Sequence, residues 1–291
     1  MYFKDYQVIF KMEKGFSKDE KYCVIKDGTK YLLRISKHKT IEQKEEEMTV
    51  IKKIEDLDIS MCKTIEYGVF DNQVYQVQTW VDGVDLREVI NDLDIEDQYR
   101  LGYLSGEMLR KIHTIDVHFV CEPWHERYNK KIDKKIKNYM ECPLKYEDGD
   151  LFLKYLEENR DLLNSRPTTI QHGDFHIGNF MLNEKKELVV IDFEGFSYGD
   201  PWEEFDRLVW CTERAPEFAK GMVDGYFNKN VPLEFWKTVC LYISNNIISS
   251  LPWAVPFGES QINIMKNLAK NELKWYAQFT RIIPRWYDDK S

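Results

Sequence analysis

The sequence predicts an α+β protein of two lobes. A small antiparallel β-sheet lobe carrying one helix spans residues 1–81, and a larger, mainly helical lobe spans residues 82–291. Three observations predict it. Two runs of strand formers are each broken by a two-residue turn signal, a helix-spaced segment lies between them, and from Asp82 onward the apolar spacing becomes that of helices.

The elements follow in order. A first strand precedes YCVIK, which is joined to TKYLLRIS by Asp27-Gly28, a strong short-range hairpin cue. Residues 41–55 place Glu47, Met48, Ile51 and Ile54 at helical spacing, so a helix follows the third strand. KTIEYGVF and QVYQVQTWV, around Asp71-Asn72, form the second hairpin. The segment from Glu96 to His113 then sets Leu101, Leu104, Met108, Leu109 and Ile112 on one face. Pro216 to Phe227, Leu233 to Ser250 and Gln261 to Phe279 repeat this with aromatic-rich faces. FMLNEKKELVVIDF interrupts the helices with two short strands turning at Asn183 to Lys186, and the lysines from Lys130 to Lys137 read as a solvated helix face. Without a low-complexity linker, the boundary at Asp82-Gly83 reads as a hinge.

Composition narrows the function. The 291 residues include 43% hydrophobic and 31% charged side chains, enough apolar material for a folded core. With 41 Lys and Arg against 50 Asp and Glu the net charge is −9, which excludes binding to nucleic acid through a basic face. Residues 1–81 hold 14 acidic and 14 basic side chains, so the whole −9 falls in the helical lobe and would favour a cationic substrate there. No run approaches the roughly 20 apolar residues of a membrane span and the N-terminus lacks a signal-peptide pattern, so no membrane partner and a cytoplasmic monomer are expected. Six cysteines without a CxxC pair read as reduced and mostly buried, and Cys121 with His125 is too small a set for zinc.

The chemistry is concentrated in TIQHGDFHIGNFMLNEKKELVVIDFEGFSYGDPWEEFDRLVW. Phosphoryl transfer needs a carboxylate to accept the proton of the attacking hydroxyl, and hard oxygen ligands to hold Mg²⁺ on the nucleotide phosphates. Asp174 suits the first task. Asn179 and Asp192 suit the second, because a loop followed by a tight hairpin would bring them together.

HGDFHIGN and VIDFEG resemble the HGDxxxxN and IDF(E/G) motifs of the aminoglycoside phosphotransferase family, a branch of the protein-kinase-like fold that also contains choline, homoserine and methylthioribose kinases. His172, Gly173, Asp174, Asn179, Asp192, the GDP at 199–201 and Asp206 occur in order and at fitting spacings. The resemblance implies a two-lobed kinase with ATP or GTP in the cleft, Asp174 as catalytic base, Asn179 and Asp192 as Mg²⁺ ligands, and His172 and Asp206 as braces of the catalytic loop.

It also implies a nucleotide lobe, and there the sequence departs from the pattern. Arg34, in YLLRI, stands where the family has a phosphate-pairing Lys, and Arg keeps the charge but offers a planar fork. Glu47 is its expected helix partner, with Glu46 the alternative. Ser17, beside the single Gly15, would cap the phosphates. Gln78 and Trp80 mark the segment meeting the purine, Trp80 serving equally well as core or as a stacking platform. On the acceptor side Glu203, Glu204, Glu213 and Asp288 would receive a cationic, aminoglycoside-like molecule, and an exposed acidic helix face would explain the same letters. A metabolic kinase for choline, homoserine or an amino sugar, and a pseudokinase without turnover, are the rival readings. The short span from Asp192 to Gly199 leaves no room for the activation loop of a protein kinase.

Overall fold

The computed structural model describes residues 2–13, 18–116 and 122–288. In chain order the elements are β1 (Tyr2–Phe3), β2 (Tyr6–Met12), β3 (Glu20–Lys26), β4 (Thr29–Ser36), α1 (Ile41–Glu55), β5 (Thr64–Phe70), β6 (Gln73–Thr79), β7 (Gly83–Asp85), α2 (Leu86–Val89), α3 (Ile95–Ile112), α4 (Trp124–Glu141), α5 (Gly149–Glu158), β8 (Thr169–Gln171), β9 (Phe180–Asn183), β10 (Leu188–Val190), β11 (Ser197–Gly199), α6 (Leu208–Arg214), α7 (Pro216–Phe227), α8 (Leu233–Ala254), α9 (Glu259–Trp275) and α10 (Arg285–Asp288). They fall into two compact units, Met1–Leu86 with Asn179–Glu194, and Arg87–Gly178 with Gly195–Ser291. The first unit therefore ends at Leu86 rather than residue 81, and takes in a hairpin from far along the chain.

In that sheet unit the strands run β1-β2-β3-β4-β6-β5, all antiparallel. Both turn signals hold for a local reason: Asp27 and Gly28 have φ of 49° and 77°, Asp71 and Asn72 of 49° and 57°, the paired positive values that tight hairpin turns require. One face of the sheet buries Phe3, Tyr6, Val24, Leu33, Ile35, Tyr75 and Val77. The alternation of β4 and β6 puts Leu32, Arg34, Gln76 and Gln78 on the other face, with Arg34 opposite Gln76. α1 starts with a capping box in which Thr40 and Gln43 exchange hydrogen bonds, and it buries Met48, Ile51 and Ile54. The β9–β10 hairpin belongs here because β7 pairs with β9, and because Val190 bridges to Met61 and donates its N–H to Ser60 O at 3.0 Å.

The helical unit is built on α3 against α7. Gly102 and Gly106 meet Gly221 and Gly225 on facing helices, and an added Cβ at any of the four would lie 2.0–2.1 Å from a carbonyl oxygen of the partner helix. The backbones touch because these residues lack side chains. Around them Phe205, Phe218, Met222, Phe235, Trp236 and Val239 are buried. Two helix ends differ from the sequence reading. α8 continues past Ser250 through Pro252 to Ala254, held by the fully buried Leu251 and Ala254. α9 stops at Trp275 instead of reaching Phe279: Ala277, Gln278 and Phe279 take φ of 48°, 55° and 63°, and Gln278 N–H caps Leu273 O at 2.7 Å. Phe279 is thereby turned onto Phe152 and Tyr155, with ring centroids at 5.4 and 4.8 Å.

Cys23, Cys62, Cys142, Cys211 and Cys240 are free and buried, as expected, and Cys121 lies outside the described residues. Among the described residues no helix is long and apolar enough to cross a membrane.

Candidate active site

The helical unit holds the loop that carries Asp174. β8 pairs with β11, and the chain leaves β8 through His172-Gly173-Asp174. Gly173 has φ of 87°, and a Cβ there would lie 2.3 Å from Gly195 O, so only glycine fits the turn. The fully buried His172 accepts the Asp174 N–H on Nδ1 at 3.3 Å, a contact within the loop itself. Glu204 is the stronger brace. Its buried carboxylate accepts the N–H groups of His172 and Gly173 at 2.7 and 2.8 Å. Burial pushes its carboxyl above the usual range, against the pull of those two donors.

The Asp174 side chain is 49% exposed. Gly178 N–H donates to His176 Nδ1 at 3.0 Å, so His176 Nε2 carries its proton and donates to Asp174 Oδ2 at 3.3 Å. Arg207 Nε lies 3.3 Å from Asp174 Oδ1 and 3.5 Å from Asp206 Oδ1. Asp206 therefore reaches the loop through Arg207. Behind it Asp200 is completely buried, takes both arms of Arg166 at 2.6 and 2.8 Å, and holds Gln171 through its backbone oxygen at 2.8 Å. The Arg166 guanidinium stacks on Trp202 at 3.5 Å.

The sheet unit holds the other expected ligands. Phe180 pairs with Val190, and Ile191 N–H donates to Asn179 O at 3.0 Å, so the β9–β10 ladder runs on to Asn179 with Asp192 one residue beyond. Hairpin register brings Asn179 and Asp192 together, which their sequence separation alone would not do. Asp192 is held at φ of 70°, an uncommon conformation for a side-chain-bearing residue and one that clusters at functional sites. Its carboxylate lies 3.0 Å from Arg34 Nη1 and 3.4 Å from Lys21 Nζ. Burial would raise its pKa, but these two cations outweigh it and hold the group well below the usual carboxylate range. An amide oxygen and an ionised carboxylate suit Mg²⁺, which commonly takes one or two protein oxygens and completes its shell with phosphate and water. Among the described residues no group of three or more His, Cys, Asp or Glu forms a metal cage.

Arg34 is buried at the centre of this unit, but its expected partner is wrong. Arg34 Nη1 lies 2.8 Å from Glu194 Oε2, and its Nε lies 3.3 Å from Asp19 Oδ2. Glu47 instead takes Lys39 at 2.6 Å and the buried Lys44 at 2.8 Å, because Lys44 sits one helical turn before it and is also fixed by Gln76 at 3.0 Å. The alternative, Glu46, points to solvent. Gln78 is buried on the Arg34 face of the sheet. Trp80 is half-buried, donates to Asp82 at 3.2 Å and meets Phe10 edge-on at 6.1 Å, so it is not core. Ser17 and Gly15 lie outside the described residues.

The four acceptor-side carboxylates do not converge. Glu204 is committed to the loop backbone. Glu203 is buried, ion-paired with Lys131 and bonded by Gln171 at 3.1 Å. Glu213 is exposed and accepts from Asn271, and the exposed Asp288 pairs with Arg281 at 3.2 Å. Sequence reasoning missed Glu194, Asp19, His176 and Arg207. Glu194 and Arg207 each stand next to a motif letter, in VIDFE and FDR, and His176 lies inside the HGDFHIGN motif.

The sequence model of the phosphotransferase enzyme family matches residues 11–236. A search of curated proteins finds no sequence match. Solved structures align over nearly the whole chain. A thermostable mutant of aminoglycoside phosphotransferase APH(4)-Ia, in a complex with AMP-PNP and hygromycin B, is 13% identical, covers 96% of both chains and gives a TM-score of 0.70. A putative aminoglycoside phosphotransferase from Ralstonia eutropha is 13% identical over 92% of this chain and 90% of its own, at 0.65. The streptomycin–ATP complex of APH(2")-IIa is 17% identical over 84% and 86%, at 0.59. At these identities the likeness is one of fold, the α+β protein-kinase-like fold that the sequence resemblance implied.

Proposed function

The chain belongs to the phosphotransferase enzyme family and is a small-molecule phosphotransferase, and from that premise we propose that it transfers the γ-phosphoryl of ATP or GTP to a hydroxyl, with Asp174 as base. The observation that carries this reading is Asp174 itself: a half-exposed carboxylate on a loop whose backbone is pinned by Glu204 and His172. Five residues of chain lead from it to Asn179, which the hairpin sets beside the strained Asp192.

In this mechanism Asp174 accepts the hydroxyl proton as the oxygen attacks, and His176 and Arg207 orient the carboxylate. Asn179 and Asp192 would hold Mg²⁺, which supplies neutralisation of the nucleotide phosphates. Arg34 does the work of the family's Lys, anchored by Glu194 in place of a helix glutamate. Gln78 and Trp80 remain the proposed purine contacts.

An aminoglycoside-like cationic acceptor draws support from the hygromycin B and streptomycin complexes of the similar folds. The internal commitments of Glu203 and Glu204 weigh against it. The test is a coupled assay of Mg²⁺-dependent nucleotide turnover across an acceptor panel, with Asp174→Asn alongside. A loss of about 10²- to 10⁴-fold in kcat at unchanged nucleotide affinity is expected. Wild-type turnover in that variant refutes the assignment.

A further inference from the structure

α4 carries Arg127, Lys131 and Lys135 at successive four-residue intervals, so three cations share one helix face. That face is turned toward the supports of the catalytic loop. Arg127 Nη1 donates to Tyr198 O at 3.1 Å, while its Nε and Nη2 are buried without an acceptor among the described residues. Lys131 pairs with Glu203 and stays 45% exposed. Lys135 Nζ reaches only the backbone oxygen of Asn245, at 3.5 Å, and has no carboxylate at ion-pair distance among the described residues. The fourth cation is Arg207, at 3.3 Å from Asp174.

The carboxylates on this side are already matched. Glu203 answers Lys131, Asp206 answers Arg207, and Glu204 answers two backbone N–H groups. Arg127 stacks on the Trp124 ring at 4.9 Å, whereas among the described residues Lys135 has no carboxylate at ion-pair distance and feels Asp206 and Glu203 only from further away, an arrangement that an added anion would complete. The net −9 of the chain is no guide here. Charges beyond about 8 Å are screened at physiological salt, so the groups beside Asp174 set the field that an acceptor meets.

We propose, on the premise of the phosphoryl-transfer reading above, that the acceptor bears an oxyanion, a carboxylate or a phosphate ester, held on the helical unit by Lys131, Lys135 and Arg207. The guanidinium of Arg207 offers a fork suited to such a group, and the two lysines supply point charges along one side of it. A hydroxyl on the same molecule is then within the reach of Asp174.

Burial also pushes the Lys135 ammonium down to about 8, with Lys131 and Arg207 adding to the effect and Asp206 and Glu203 opposing it. An arriving oxyanion restores the charged form, so binding takes up a proton near pH 8.

The experiment is calorimetric titration of the full chain with glucose 6-phosphate and gluconate as oxyanions, glucose as the neutral control, and hygromycin B and streptomycin as cations. At least one oxyanion is expected to bind ten-fold or more tightly than glucose and than either cation. Lys131→Met and Lys135→Met should each weaken it about ten-fold at unchanged MgATP affinity. Proton uptake at pH 8, read from buffers of different ionisation enthalpy, should disappear in Lys135→Met. Lys131→Met also unpairs the buried Glu203, so denaturation midpoints are read beside the titrations, and a variant that melts with the wild type reports on binding rather than on folding. Tighter binding of either cation, no oxyanion binding at 10 mM, or affinities untouched by both substitutions overturns the proposal. Oxyanion binding that depends on the lysines in a chain that never turns over nucleotide would uphold the anion site and refute the phosphoryl-transfer reading instead.

Discussion

Arg34 has three carboxylates within 3.3 Å, from Asp19, Asp192 and Glu194. Removing it leaves buried negative charges without compensation, a defect that typically costs about 3–5 kcal/mol. Arg34→Ala should therefore lower the denaturation midpoint sharply and weaken nucleotide binding. Arg34→Lys should restore part of the stability and less of the binding, because an ammonium has no second nitrogen to hold Asp19 as Nε does while Nη1 meets Asp192 and Glu194. Equal nucleotide affinity in all three proteins would remove Arg34 from the phosphate site. Glu204 makes a different prediction. Glu204→Gln keeps one acceptor for the two N–H groups of His172 and Gly173, so the variant should lose about 1–3 kcal/mol and turn over more slowly at unchanged nucleotide affinity. An unaltered kcat would show that the loop holds Asp174 without it. Among single residues the sequence points to Asp174, Asn179 and Asp192 because chemistry restricts the letter there, and their roles rest on the proposed function. The partners were not legible, because Glu194 lies 160 residues from Arg34 and its place in VIDFEG does not say which cation it meets. Carboxylates expected to face a ligand, Glu203 and Glu204, look the same in sequence whether they point outward or inward.

Elements whose shape is fixed by their own few residues were the readable ones. The two hairpins depend on pairs of positive-φ positions at Asp27-Gly28 and Asp71-Asn72, and α1 on Thr40 and Gln43 at its start. The end of α9 depends on packing instead: apolar spacing runs on through Phe279, while the rings of Phe152 and Tyr155 draw Phe279 out of helical register. The β9–β10 hairpin was visible as strands, but its pairing to β7 is set by contacts that no local pattern encodes. The contact of α3 with α7 is likewise long-range, and it is exacting. Gly221→Ala places a methyl 2.1 Å from Tyr99 O, and Gly106→Ala one 2.1 Å from Met222 O. Each variant gains helix propensity of about 1 kcal/mol but must separate two backbones, and overpacking of this kind costs about 1–3 kcal/mol or more. A lowered melting temperature is expected for both. If either melts at or above the wild type, the helices are not held by backbone contact.

At the scale of the molecule, buried ionisable groups set how stability varies with pH. Glu272 on α9 is 1% exposed, its Oε2 has no hydrogen-bond partner among the described residues, and burial pushes its carboxyl up to about 8. A carboxyl raised in the folded state keeps a proton that the unfolded chain has already lost above about pH 4.5, so its contribution to stability is present below that pH and fades as pH rises toward 8. His113 acts in the opposite sense. Burial holds its imidazole down to about 3, so the folded chain refuses a proton that the unfolded chain binds below about pH 6.5, and stability falls on acidification there. Lys135, lowered to about 8, changes its balance only above that value. Between about pH 6.5 and 8 the glutamate slope is thus free of both. Glu272→Gln, nearly isosteric and uncharged, should come nearest the wild type at pH 5 and gain on it by an amount that grows across this window, reaching on the order of a few kcal/mol by pH 8. Denaturant midpoints of the two proteins at pH 5, 6.5, 7.25 and 8 measure it, and parallel curves would show that Glu272 is not buried uncompensated beside Tyr276 and Cys240.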